Sequence, residues 1–140
     1  MIGGLIVTHG RLADELLKAA ETIEGTLTRI EAVPLDWNDT VDQARAKIGD
    51  ALQRIHDHHG VIIFTDMFGG TPSNISLSFL EKDRVEIITG VNLPMIIKFA
   101  SLQNECEDVA TLAHVIREKG SKSIRVASDL LEKEKREPGV

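Results

Sequence analysis

Residues Gly60 to Asn74 read GVIIFTDMFGGTPSN, a buried strand, a turn and the start of a helix. Val61, Ile62, Ile63 and Phe64 form an unbroken β-branched and aromatic run, the pattern of a strand covered on both faces in a parallel sheet. Asp66 falls just past its C-terminal end. Gly69 and Gly70 permit positive φ or a close backbone approach, and Thr71, Pro72, Ser73 and Asn74 supply a cap hydroxyl and an early-helix proline. A turn of this kind points several N–H groups at one spot, where an anion, phosphate above all, is held. Ile2 to His9 (IGGLIVTH) has the same outline and also ends in a polar residue.

Working outward, strand-like and helix-like segments alternate. Residues 2–8 are the first strand, and Leu12, Leu16, Leu17, Ala20 and Ile23 mark an amphipathic helix that Gly25 ends. Arg29 to Leu35 is a weaker strand whose Pro34 suits an edge position or a strand end. A loop bearing the single tryptophan, Trp37, leads to a helix capped by Asp39 or Thr40, with Val41, Ala44, Ile48, Ala51, Leu52 and Ile55 inward. After the organising stretch come a short helix, a strand over Arg84 to Thr89, a helix that Asn92 caps and a further helix over Val109 to Lys119 that Gly120 closes. Lys122 to Ala127 (KSIRVA) alternates like a fifth strand. We read residues 1–128 as one domain and 129–140 as a charged C-terminal tail.

This alternation predicts an α/β fold with a doubly wound, mainly parallel sheet. Right-handed crossovers and a central first strand give the order 2-1-3-4. Such a sheet has a topological switch between strands one and three, where a crevice opens at their carboxyl ends. His9 and Asp66 stand at those two ends, so they should meet with Gly69 and Gly70 beside them.

A neutral imidazole offers one nitrogen lone pair, and an aspartate that accepts the other nitrogen's proton fixes the tautomer and stabilises a cationic ring. His9 is thus the candidate nucleophile and Asp66 its orienting partner. Gly69, Gly70 and Thr71 are the candidate phosphate-binding residues, and the chemistry they suit is phosphoryl transfer through a phosphohistidine. Transfer between phosphorylated side chains calls for no cofactor and no metal. Each element alone has a plainer use: His9 as a surface or capping residue, Asp66 as a turn residue, the diglycine as an ordinary turn. Their joint placement at the switch point is what favours chemistry.

The remaining composition narrows the class. A formal charge of −6 without a Lys/Arg stripe disfavours nucleic acid and anionic membranes. Cys106 is the one cysteine, which excludes an internal disulfide and fits a reducing compartment. No apolar run reaches the about 18 residues of a membrane span, so a cytoplasmic location is expected. His56, His58 and His59 cluster at a helix end before strand three, away from the crevice, where cations suit the helix dipole. Trp37 fits either over the crevice or in a subunit contact, and Arg11, one turn from His9, fits a solvated helix face or a screen for phosphate.

The segments IVTHGRLA (6–13), TDMFGGTPSN (65–74) and ITGVNLPM (88–95) together closely resemble the IIA component of the mannose family of the bacterial phosphoenolpyruvate-dependent sugar phosphotransferase system (PTS). The likeness runs over roughly residues 1–127. It implies that His9 accepts a phosphoryl group on Nε2 from the carrier HPr and passes it to a IIB component or a regulatory protein. It also implies that Asp66 orients the ring, that Thr71 lies beside the phosphate, and that the protein is a homodimer exchanging an antiparallel fifth strand, the role Lys122 to Ala127 suits. Three alternatives remain. A dihydroxyacetone kinase phosphotransfer subunit would keep the His9 chemistry with another acceptor. A receiver-like domain would use Asp66 but wants an acidic pair where Thr8, His9 and Gly10 stand. A noncatalytic phosphate-binding module would use the glycine turn alone.

Overall fold

Val61–Thr65 is a strand with all five residues buried, as its unbroken apolar run requires. The computed structural model describes residues 1–136, with side chains through residue 132. Its elements, in order, are β1 (Gly3–His9), α1 (Leu12–Glu24), β2 (Ile30–Leu35), α2 (Val41–Ile55), β3 (Val61–Thr65), α3 (Thr71–Leu77), β4 (Val85–Ile88), α4 (Leu93–Leu102), α5 (Val109–Lys122) and α6 (Ala127–Arg136). The four strands form one parallel sheet in the order β2-β1-β3-β4, as expected. Pro34 lies on the edge strand β2, opposite Thr8, where a missing N–H is tolerated.

Alternation along the strands divides the core in two. Ile6, Ile62 and Phe64 face α1, α4 and α5, where Phe99 meets Phe64 edge-on at 5.4 Å. Leu5, Val7, Ile63 and Val61 face α2 and α3 through Ala44, Ile48, Ala51 and Ile75. The helices therefore cover both faces, and β1 and β3, buried between them, carry the sheet's centre. Thr40 caps α2 reciprocally with Gln43, and Asn92 caps α4 by accepting the Met95 N–H at 3.1 Å.

The fifth strand is not seen among the described residues. Lys122 is the last residue of α5, and a short connector leads from there to α6. Gly120 does not stop α5 because its missing side chain lets α5 close on α4: an added Cβ would lie 2.4 Å from Met95 Cε. Part of the connector's backbone is bonded locally, with the Ser123 N–H on Lys119 O, the Ile124 N–H on Ser121 O, and Val126 O accepting from Asp129. A strand needs such groups free for a neighbour, and among the described residues of this single chain 122–127 pair with no other strand. Ile124 and Val126 stay exposed. Of the expected charged tail, residues 127–136 form α6 and residues 137–140 lie outside the described residues.

Candidate functional site

Three local devices bring His9 to the sheet's carboxyl edge. Parallel pairing with Leu35 of β2 sets its height, and Gly10, at φ 57°, turns the chain sharply while its N–H binds Leu35 O at 2.8 Å. Thr8 is fully buried, and its hydroxyl accepts the Ala13 N–H at 2.8 Å, pinning the first turn of α1 beneath the histidine. That role of Thr8 escaped the sequence reading. Its signal is a hydroxyl that interrupts an apolar strand just before a glycine turn.

Asp66 follows β3 directly, and its carboxylate makes three contacts. Oδ2 accepts both the His9 backbone N–H at 2.9 Å and the ring Nδ1 at 2.7 Å, while Oδ1 accepts the Met67 N–H at 3.0 Å. An ionised carboxylate has no proton to give, so Nδ1 is the donor and Nε2 keeps its lone pair. The two side chains retain 24% and 13% exposure, which leaves the ring reachable while most of the carboxylate is enclosed. The expected pairing of residues 57 positions apart is therefore present.

Gly69 has a φ of 86° and Gly70 is extended, so the turn passes close to the ring: a Cβ on Gly70 would sit 2.8 Å from His9 Cε1 and 3.3 Å from Nε2. Gly70, not Thr71, occupies the cap position of α3, and no side chain caps that end. Thr71 is the first residue of the helix, exposed, and shares with His9, Trp37 and Pro72 a cleft of about 180 Å³. Ser73 is buried on the same helix, and Asn74 reaches back to Gly69 O at 3.3 Å. Gly70 thus lies close to the free ring nitrogen, and Thr71 lines the same cleft as His9.

Trp37 stands over the crevice: its indole stacks on the His9 ring, with centroids 5.1 Å apart and planes 25° apart. Arg11 extends into solvent, 3.9 Å from Asp14. Asp57, His58 and His59 gather ligand-capable atoms within 4.8 Å of one another in the loop before β3. Asp57 is already ion-paired with Arg29 at 3.0 Å. Burial raises its pKa, yet the His59 hydrogen bonds and Arg29 hold its carboxyl below the ordinary range. His56 accepts from Arg84 at 3.2 Å. The loop leads into the amino end of β3, away from His9.

A family model described as "PTS system fructose IIA component" matches residues 3–116. The chain is 32% identical over 136 residues to the fructose-specific EIIA component of Bacillus subtilis, covering 96% of this chain and 92% of that protein. It is 26% identical over 122 residues to the mannose-specific EIIAB component of Escherichia coli, covering 86% of this chain and 38% of the relative. Among solved structures, a phosphotransferase system component EIIA from Streptococcus agalactiae superimposes with a TM-score of 0.84 at 23% identity, over 92% of this chain and 99% of that one. At that identity the structural match speaks for the fold.

Proposed function

The chain belongs to the mannose family of EIIA components of the phosphotransferase system, and from that premise we propose that it carries phosphoryl groups on Nε2 of His9. The donor is phosphorylated HPr, and the acceptor is a IIB component or a regulatory protein. In the transfer the Nε2 lone pair forms a bond to phosphorus while the bond from phosphorus to the donor breaks, its electron pair leaving with the donor. The Nδ1 proton stays shared with Asp66, so the ring gains positive charge opposite a carboxylate. Gly70, close to Nε2, Gly69 of the same turn and Thr71, which lines the same cleft, are the groups proposed to receive the phosphoryl oxygens. The observation that carries this reading is the 2.7 Å contact between His9 Nδ1 and Asp66, which leaves the other ring nitrogen facing the diglycine turn.

The test is phosphorylation in solution. The protein is incubated with phosphoenolpyruvate, the first enzyme of the pathway and HPr, and its mass is followed. A gain of one phosphoryl group that is stable to base and lost in acid is expected. A base-labile acyl phosphate on Asp66, or no gain at all, sinks the proposal. Gly70→Ala probes the geometry separately, since the extended backbone there accepts alanine while the new methyl group would crowd Cε1. We expect phosphoryl uptake to slow about tenfold in stopped-flow or quenched-flow measurements, as small misplacements of reacting groups do. An unchanged rate would remove Gly70 from the site.

We further propose a homodimer in which residues 122–127 are exchanged against the β4 edge of the partner. Support comes from the exposed Ile124 and Val126 and from a cleft of about 370 Å³ along β4, lined by Glu86, Ile87, Ile88, Ala113, His114 and Arg117. An unpaired edge beside exposed apolar residues favours association. Light scattering should give twice the mass of the chain, and a monomer at micromolar concentration would rule the exchange out. No helix of the described residues is long and apolar enough to cross a membrane.

A further inference from the structure

We propose that Trp37 is a positioning residue for this transfer, one that covers a face of the His9 ring and stabilises the charge the ring gains when Nε2 bonds to phosphorus. The inference rests on the phosphohistidine reading and adds a group to it. The starting observation is an indole in the wrong place for a core residue. Trp37 is 77% exposed, yet its ring lies 5.1 Å from that of His9 and only 25° from parallel.

The position is built. Within the loop from Asp36 to Asp39, the Asp36 N–H donates to Asp39 Oδ2 at 2.9 Å, the Asn38 N–H to Asp36 Oδ1 at 2.9 Å, and the Asp39 N–H to Asp36 O at 3.0 Å. Lys47 of α2 anchors the loop through Asp39 at 2.6 Å, and that hydrogen bond holds the Asp39 carboxyl below the usual carboxylate range. Gly10 makes room on the other side, because a Cβ there would lie 3.1 Å from the indole Nε1. The indole stands between the His9 cleft and a second cleft lined by Arg11, Asp14 and Lys47.

Direction decides the role. Asp66 meets the ring at Nδ1, and Gly70 lies off its Cε1 and Nε2. The Nε2 lone pair lies in the ring plane, so a group stacked on the face neither blocks nor consumes it. A cation within about 6 Å of an indole face is attracted by the ring's electron density. Neutral imidazole draws little from that contact, and the ring made cationic by phosphoryl attack draws more. The preference for product over reactant is what shifts both the rate and the position of the transfer.

Two measurements on the full chain test this. First, Trp37 is the single tryptophan, so its emission reports the contact before any phosphorylation. At one fixed neutral pH, emission in the native protein should differ from that in His9→Asn, where no aromatic ring is left against the indole. The charged groups that face the pair are Asp66 at the end of β3, Asp36 and Asp39 in the loop after β2, Arg11 and Asp14 at α1 and Lys47 on α2. All are shared by both proteins, so the difference isolates His9. Identical emission overturns the stack. Second, native protein, Trp37→Phe and Trp37→Leu are equilibrated with phosphorylated HPr and the phosphorylated fraction is measured. We expect the equilibrium to fall about threefold in Trp37→Leu, the scale of an exposed cation–π contact, and Trp37→Phe to lie between. Equal fractions in Leu and native protein overturn the role of Trp37 while leaving phosphoryl transfer standing. Absence of labelling in the native protein overturns both.

Discussion

His9→Ala takes up no acid-labile phosphate from phosphorylated HPr: the expected mass gain falls to background while the fold is kept. The loss is complete because His9 is, among the described residues, the one imidazole lining the cleft, and an ester on the Thr71 hydroxyl would be acid-stable. Asp66 is the nearest other candidate, and its oxygens accept from the backbone N–H groups of residue 9 and Met67; the residue 9 N–H donates independently of the side chain and still holds Oδ2 in the variant. The removed ring is about a quarter exposed and belongs to neither apolar cluster, so its truncation leaves the core intact. Thermal unfolding should shift by a few degrees at most, the range for a substitution outside the core. Labelling of His9→Ala at the native level would falsify the assignment of the nucleophile, whatever the family.

Asp66→Asn comes next in size, with phosphoryl uptake slower by about two orders of magnitude or more. An amide has one acceptor oxygen where the carboxylate has two. If that oxygen faces His9, it still accepts from the backbone N–H and from Nδ1, but the amide nitrogen then opposes the Met67 N–H, which now bonds Oδ1 at 3.0 Å. If the side chain turns over, its N–H₂ donates to Nδ1, the ring proton moves to Nε2 and the nucleophilic lone pair is lost. The amide then also confronts the His9 backbone N–H. Either way a donor faces a donor, and the negative charge opposite the ring is gone. Quenched-flow labelling measures the rate, and Asp66→Ala serves as a control that removes the partner without reversing the tautomer. A rate for Asp66→Asn within twofold of native would mean that Asp66 holds the turn and does not orient the ring.

Much of this was legible before any coordinates. The β-branched run at Val61–Phe64 and the 3.6-residue spacing of Leu12 to Ile23 are signals of buried strand and amphipathic helix that local context does not disturb. Crossover handedness carried them to the order 2-1-3-4 and hence to the meeting of His9 and Asp66. What failed depended on distant neighbours. Gly120 looked like a helix stop, but whether glycine ends a helix or lets two helices close depends on Met95 opposite it. KSIRVA is a strand only where another edge accepts its hydrogen bonds, and among the described residues of this chain none pairs with it. The stacking of Trp37 on His9 was open between two settings because an aromatic in a loop has no period to read. Thr8 was hidden for a similar reason, since its partner Ala13 lies five residues on, outside helix and strand repeats alike.

The placement of β1 between β2 and β3 has a bearing on how the molecule is made. Of the four strands it is translated earliest, yet one of its two neighbours ends only at Thr65. At ordinary elongation speeds the ribosome adds the intervening residues in roughly three to ten seconds, and through that interval the nascent chain carries a glycine-led apolar segment with one side unzipped. A stalled or truncated product that stops short of β3 would therefore display the histidine without its carboxylate, inert in transfer and sticky to whatever passes. Early synthesis of this strand leaves one of its edges without a partner until β3 is made, the condition under which unpaired edges associate.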